Sequence, residues 1–127
     1  MMQATDLLDL PTASTSVYAA AEMYAAAGFP VVPIYGIRDG VCTCGDPSCQ
    51  PRSAGKHPVG KAWQRHASSE IDAVRDIFRG HDGNIGIVLG TRYVVLDVDG
   101  DDGRASIAEL GYLPDTLTSR SGSGGEH

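Results

Sequence analysis

Between the run "FPVVPIY" (29–35) and the run "SSEIDAVRDIF" (68–78) lies a segment that no single periodic element can occupy. Residues 38–60, "RDGVCTCGDPSCQPRSAGKHPVG", are dense in glycine and proline and hold all three of the chain's cysteines within eight residues. A loop of that length inside a compact domain is uncommon, and it is usually functional or tied internally. Whatever this chain folds into must accommodate that insertion. Cys42, Cys44, Cys49 and His57 form a three-sulfur, one-imidazole set suited to a closed zinc tetrahedron. The Cys-x-Cys step is tighter than the commoner two-residue gap, so free thiols are the competing reading. Clustering in a polar, proline-rich loop favours metal, because free buried cysteines sit more often on apolar periodic faces. Zn²⁺ bound over 41–58 would be structural, supplying folding energy to a loop that has no core of its own.

The flanking sequence alternates between the two periods. "TSVYAAAEMYAAA" (15–27) follows a Ser/Thr cluster and stops at Gly28, which predicts a helix. "FPVVPIY" predicts a strand that Pro33 places at an edge or beside a bulge. Ile71, Val74 and Phe78 fall at helical spacing, with Ser68 or Ser69 as cap and Gly80 as stop. "NIGIVLG" (84–90) and "YVVLDVD" (93–99) predict a hairpin across Gly90–Thr91–Arg92. A short helix over 103–111 and a last strand running into a glycine-rich turn complete the order α–β–loop–α–β–β–α–β. The fold class is mixed α/β (α+β).

At 127 residues the chain is at most one ordinary domain, with residues 1–14 a polar lead-in. It has no window of 18 apolar residues and no basic, apolar leader, so a cytoplasmic protein without a membrane partner is expected. A net charge of −6 argues against coating nucleic acid by bulk electrostatics. An enzyme that handles nucleic acid through metals and a local basic groove remains compatible with it.

Asp97 and Asp99 end the apolar run, one residue apart and therefore on one face of a strand, with Val94, Leu96 and Val98 expected on the other. Two carboxylates so placed repel by roughly 2 kcal/mol at an effective dielectric of 20. One reading of "DVDGDDG" is a solvated acidic turn. The other is a site for Mg²⁺ or Mn²⁺, hard ions that take carboxylate oxygens and hold substrate phosphates. A calcium loop fails on register, because glycine and glutamate are absent where that loop needs them. In "SRSGSGGEH" (119–127), backbone N–H groups and Ser hydroxyls can cradle phosphate, with Arg120 and His127 reaching the same group; a flexible tail is the plainer reading. Neither this run nor "AGKHP" is a P-loop.

In order along the chain, "YAAAGFPVVPIY", "GKHP", the helix ending in "IF", "NIGIVLG", "VVLDVD" and "PDTLTSRSGSGGEH" resemble the bifunctional DNA primase/polymerase N-terminal domain of the archaeo-eukaryotic primase superfamily. The resemblance runs from about Tyr18 to His127. It implies a palm similar to an RNA-recognition fold, with a zinc-loop insertion, and template-directed nucleotidyl transfer from nucleoside triphosphates on DNA. It further implies that Asp97 and Asp99 hold the divalent metals and that His127 and Ser123 contact the triphosphate. Arg120 and Lys56 are expected to assist in nucleotide binding. The family's third metal-binding carboxylate follows the His-containing segment. The ending at "SGSGGEH" therefore predicts that 15–127 is the N-terminal part of the catalytic domain, with a helicase domain or partner expected in a longer protein. A non-catalytic, zinc-stabilised binding module is the alternative.

Overall fold

Ser16 ends the polar lead-in and starts the first helix, its side chain accepting the Ala19 N–H at 3.2 Å. This is a computed structural model, and it describes residues 10–111, 113–122 and 124–127. Helix α1 (Val17–Ala26) closes with paired backbone bonds, Phe29 N–H to Tyr24 O at 3.0 Å and Gly28 N–H to Ala25 O at 2.9 Å. The Phe29 ring then stands edge-on to Tyr24, with centroids 6.3 Å apart, the apolar contact that accompanies such a stop. That turn feeds β1 (Val31–Ile34) directly.

β1 pairs antiparallel with β4 (Asn84–Ile87), Val31 opposite Ile87 and Ile34 opposite Asn84. Its other edge is paired only at points. Val31 and Ser68 exchange backbone bonds, Val59 N–H reaches Pro33 O at 3.0 Å, and Tyr35 N–H reaches His57 O at 3.0 Å. Pro33, with no N–H to give, faces this looser edge, as expected for a strand proline.

Ala21 and Ala25 of α1, Val31 of β1, and Val74 and Phe78 make the core. Helix α3 (Ile71–Ile77) delivers the face predicted for it: Val74 and Phe78 are fully buried and Ile71 packs against them. Each large apolar side chain buried this completely contributes about 1.5–3 kcal/mol. The cap differs from expectation. Glu70 precedes α3 without a side-chain cap bond, and Ser68, held by Val31, receives the Glu70 N–H at 3.0 Å one step too early.

The loop is less irregular than its composition predicts. β2 (Ile37–Arg38) and β3 (Val41–Cys42) form a hairpin, with Asp39 and Gly40 both at positive φ, 53° and 79°. Asp-Gly is the preferred pair for that tight turn. A single 3₁₀ turn (Pro51–Ser53) and one turn of helix α2 (Trp63–His66) follow.

The chain divides into two compact units, one running to Leu89 and the other from Gly90 to His127. In the second, the strand expected over 93–99 does not form. Val94, Val95 and Leu96 are exposed, Val94 at 93%. An apolar run signals a tendency to be buried but does not supply a ladder partner, and pairing here begins only at Val98, opposite Glu126. The hairpin expected across Gly90–Arg92 is accordingly absent among the described residues. Helix α4 (Gly100–Leu110) begins three residues before its predicted start and buries none of its side chains. The last expected strand is reduced to short bridges at Arg120 and Glu126. The mixed α/β class holds, with the described strands in two two-stranded sheets. Among the described residues, no helix is long and apolar enough to cross a membrane.

Candidate functional site

The β2–β3 hairpin presents Cys42 at its end, and Thr43 fastens the hairpin base to Gly36 through both its N–H and its hydroxyl, each at 2.9 Å. Asp46 then organises the next turn. Its carboxylate takes the Ser48 N–H at 2.8 Å and hydroxyl at 2.7 Å, which hold it below the usual carboxylate range, and its carbonyl takes the Cys49 N–H at 3.0 Å. His57 is fixed by its backbone bond to Tyr35 and by the Tyr35 ring 5.0 Å away.

These local devices converge four donors. The Sγ atoms of Cys42, Cys44 and Cys49 and a ring nitrogen of His57 lie within 4.8 Å of one another. His57 Nε2 is 3.4 Å from Cys42 Sγ and 3.6 Å from Cys49 Sγ. A tetrahedral zinc with ordinary bond lengths sets sulfur–nitrogen edges of about 3.6 Å and sulfur–sulfur edges of about 3.8 Å. Both sulfur–nitrogen separations match those edges, so the donor set fits Zn²⁺.

Its electrostatics point the same way. The Gly55 N–H, 3.3 Å from Cys42 Sγ, is the largest influence lowering that thiol to about 6; partial burial opposes it, and Cys44 and His57 assist. Cys49 is pushed up to about 11, first by partial burial and then by Cys44 and Cys42 beside it. Crowded thiolates resist ionising together, and a divalent cation reverses that penalty. Asn84 ties the arrangement to the sheet, donating to Gly55 O at 2.8 Å and Tyr35 O at 3.2 Å. Lys56, between Gly55 and His57, is exposed.

In the second unit, Val98 and Glu126 exchange backbone bonds of 2.8 and 3.0 Å. Glu126 belongs to a tight turn in which Ser119 pairs with His127 and Ser121 N–H reaches Gly125 O at 2.8 Å. The register sets Asp97 across from His127 and Asp99 across from Gly125, with Ser119 and Ser121 on the same face. Side-chain contacts agree: His127 Nδ1 touches Asp97 Oδ1, and a Cβ added to Gly125 would stand 2.5 Å from Asp99 Oδ1 and 3.2 Å from Ser121 Oγ. Arg120 and Glu126 alternate onto the opposite face and form an ion pair at 3.5 Å. Arg120 is thus separated from His127, the residue with which it was expected to share a ligand. Ser123 lies outside the described residues. Gly125 and Ser121 were not singled out in the sequence; counting back by twos from His127 would have found them.

Compared with models of known protein families, the chain matches the bifunctional DNA primase/polymerase N-terminal domain over residues 21–127. The chain belongs to that family. The primase/polymerase match takes in both the Cys/His loop and the Asp-x-Asp segment. No curated protein and no solved structure matches the chain. Membership brings a role in DNA replication chemistry, with DNA and nucleotides as the family's substrates.

Proposed function

We propose that this chain carries part of the centre for metal-dependent, template-directed nucleotidyl transfer, as a DNA primase/polymerase. The observation that carries the reading is the face shared by Asp97, Asp99, Ser121 and His127, set by the Val98–Glu126 pairing inside the family match. Asp97 and Asp99 offer hard oxygen donors on one exposed face, a donor set that fits Mg²⁺ or Mn²⁺. Such ions, when bound, neutralise the charge of the triphosphate and of the attacking 3′-hydroxyl.

The chain's own residues position the reactants. Asp97 holds Nδ1 of His127, which leaves Nε2 as the ring nitrogen available to the triphosphate. Ser123 is assigned to the nucleotide. The Cys3His set is assigned to structural Zn²⁺, which would fix the loop without an open coordination position. Catalysis of this kind rests on alignment and charge stabilisation and needs no covalent protein intermediate.

The test is template-dependent nucleotide incorporation with Mg²⁺ or Mn²⁺, run on this chain and on the full product of its gene. Asp97→Asn is expected to abolish incorporation by that product. Incorporation that survives the substitution would reduce the Asp-x-Asp pair to a solvated acidic turn. A folded, zinc-loaded product that binds DNA but never incorporates nucleotide would favour the non-catalytic module.

A further inference from the structure

The ten lysines and arginines of the chain divide sharply by partner. Arg38 pairs with Asp82 at 2.7 Å, Arg75 with Glu22 at 2.8 Å and Arg79 with Asp76 at 2.9 Å. Arg104 pairs with Asp101 at 3.0 Å, Arg120 with Glu126 at 3.5 Å, and Arg92 lies over the Tyr93 ring at 5.6 Å. The other four are Arg52, Lys56, Lys61 and Arg65. All are exposed, and among the described residues none has a carboxylate partner.

Those four occupy a single stretch. No acidic residue occurs between Asp46 and Glu70, in a chain whose net charge is −6. The stretch is also held in place: His57 and Val59 bond to Tyr35 and Pro33, and Ser68 bonds to Val31, so it runs along one edge of β1. Trp63 sits half-buried between Lys61 and Arg65, on the single turn of α2. Elsewhere in the chain carboxylates offset the cations, except Arg92, which lies over the Tyr93 ring. Along this edge the charge is left uncompensated and fixed to the sheet.

We propose that the edge formed by residues 52–65 docks the phosphate backbone of single-stranded nucleic acid, with Trp63 stacking on a base. Closely spaced unpaired cations on a rigid edge match a polyanion, and binding is driven by release of its condensed counterions. An adjacent aromatic ring adds sequence-tolerant stacking, which selects a single strand over a duplex. Identification of the anion as a template strand rests on the nucleotidyl-transfer reading; the surface itself does not.

The experiment uses the full zinc-loaded chain, without chelator or added Mg²⁺, and a fluorescein-labelled single-stranded DNA of about 20 nucleotides, a length that spans one such binding site. Trp63 is the chain's one tryptophan, so its fluorescence reports on this edge. Wild type is expected to bind with quenching of Trp63. The triple variant Arg52→Gln, Lys61→Gln, Arg65→Gln is expected to lower the slope of log affinity against log salt by about 2, at about 0.7 per lost phosphate contact on a single strand. The single variant Lys61→Gln should lower it by about 0.7. Arg79→Gln, which removes a partnered cation, should leave the slope unchanged. An unchanged slope in the triple variant would overturn the proposal, as would an equal loss in Arg79→Gln. So would poly-L-glutamate binding as tightly as DNA. Since this binding is measured without added Mg²⁺ or Mn²⁺, it stands or falls separately from the effect of Asp97→Asn on incorporation.

Discussion

Replacing Gly125 with alanine separates the stability of the C-terminal turn from its function. A Cβ at this position would lie 2.5 Å from Asp99 Oδ1, where ordinary contact begins at 3.4 Å, so the carboxylate must retreat by roughly 0.9 Å. Gly125 is not among the glycines at positive φ, so alanine meets no backbone strain there. Asp99 is exposed, and its side chain can rotate away at little cost to the fold. Thermal unfolding of Gly125→Ala should therefore stay within about 1 kcal/mol of wild type, because the nearest atom belongs to an exposed carboxylate that can rotate although Gly125 itself is buried. Activity should not be spared. A displacement of about 1 Å in a group that positions reactants can cost about a hundredfold in rate. The assay is template-dependent incorporation by the full product of the gene, with Gly122→Ala as control, because nothing lies within 4 Å of a Cβ added there. Incorporation by Gly125→Ala within about threefold of wild type would refute the reasoning, since Asp99 would then tolerate a shift its assigned task should not allow.

The Cys/His loop makes two further predictions. In metal-free protein the thiolate absorbance at 240 nm should rise in widely separated steps, the first near 6 for Cys42 and the last near 11 for Cys49; one shared step near 9 would contradict the environments described for them. Because folding lowers the Cys42 value, its contribution to stability is present above the unfolded thiol range and fades as pH falls from about 9 towards 6. For Cys49, raised on folding, the contribution is present below about 9 and is lost as pH climbs towards 11. Asn84→Ala removes both donors to Gly55 O and Tyr35 O, and should cost about 1–3 kcal/mol in denaturant unfolding while weakening zinc retention. Unchanged zinc retention would show that the loop is organised without its tie to the sheet.

What the sequence disclosed was mostly local. Ser16, the stop at Gly28 and the Ile71–Val74–Phe78 face depend on residues within a turn or two, and each appears close to its predicted place. The zinc donors were legible because cysteine is scarce in the chain and clusters in one loop. The Asp39–Gly40 hairpin was equally local and was overlooked, although the pair is a strong turn signal. The misread segment, 93–97, fails for a different reason: its partner is decided far along the chain, at Glu126. The same distant pairing decides that Gly125 and Ser121 join the Asp97 face while Arg120 leaves it. Residue types alone put Arg120 and His127 together; alternation along a strand holds them apart.

The exposed run Val94–Leu96 has a consequence for handling the protein. Such a segment, apolar, largely β-branched and, among the described residues, without a partner strand, is the kind that nucleates aggregation. Arg92 closes it at one end and Asp97 and Asp99 at the other, so the carboxylates assigned to metal also act as gatekeepers that repel stacking copies. The test variant Asp97→Asn removes one of those charges. Its solubility should be matched to wild type before its silence is credited to chemistry.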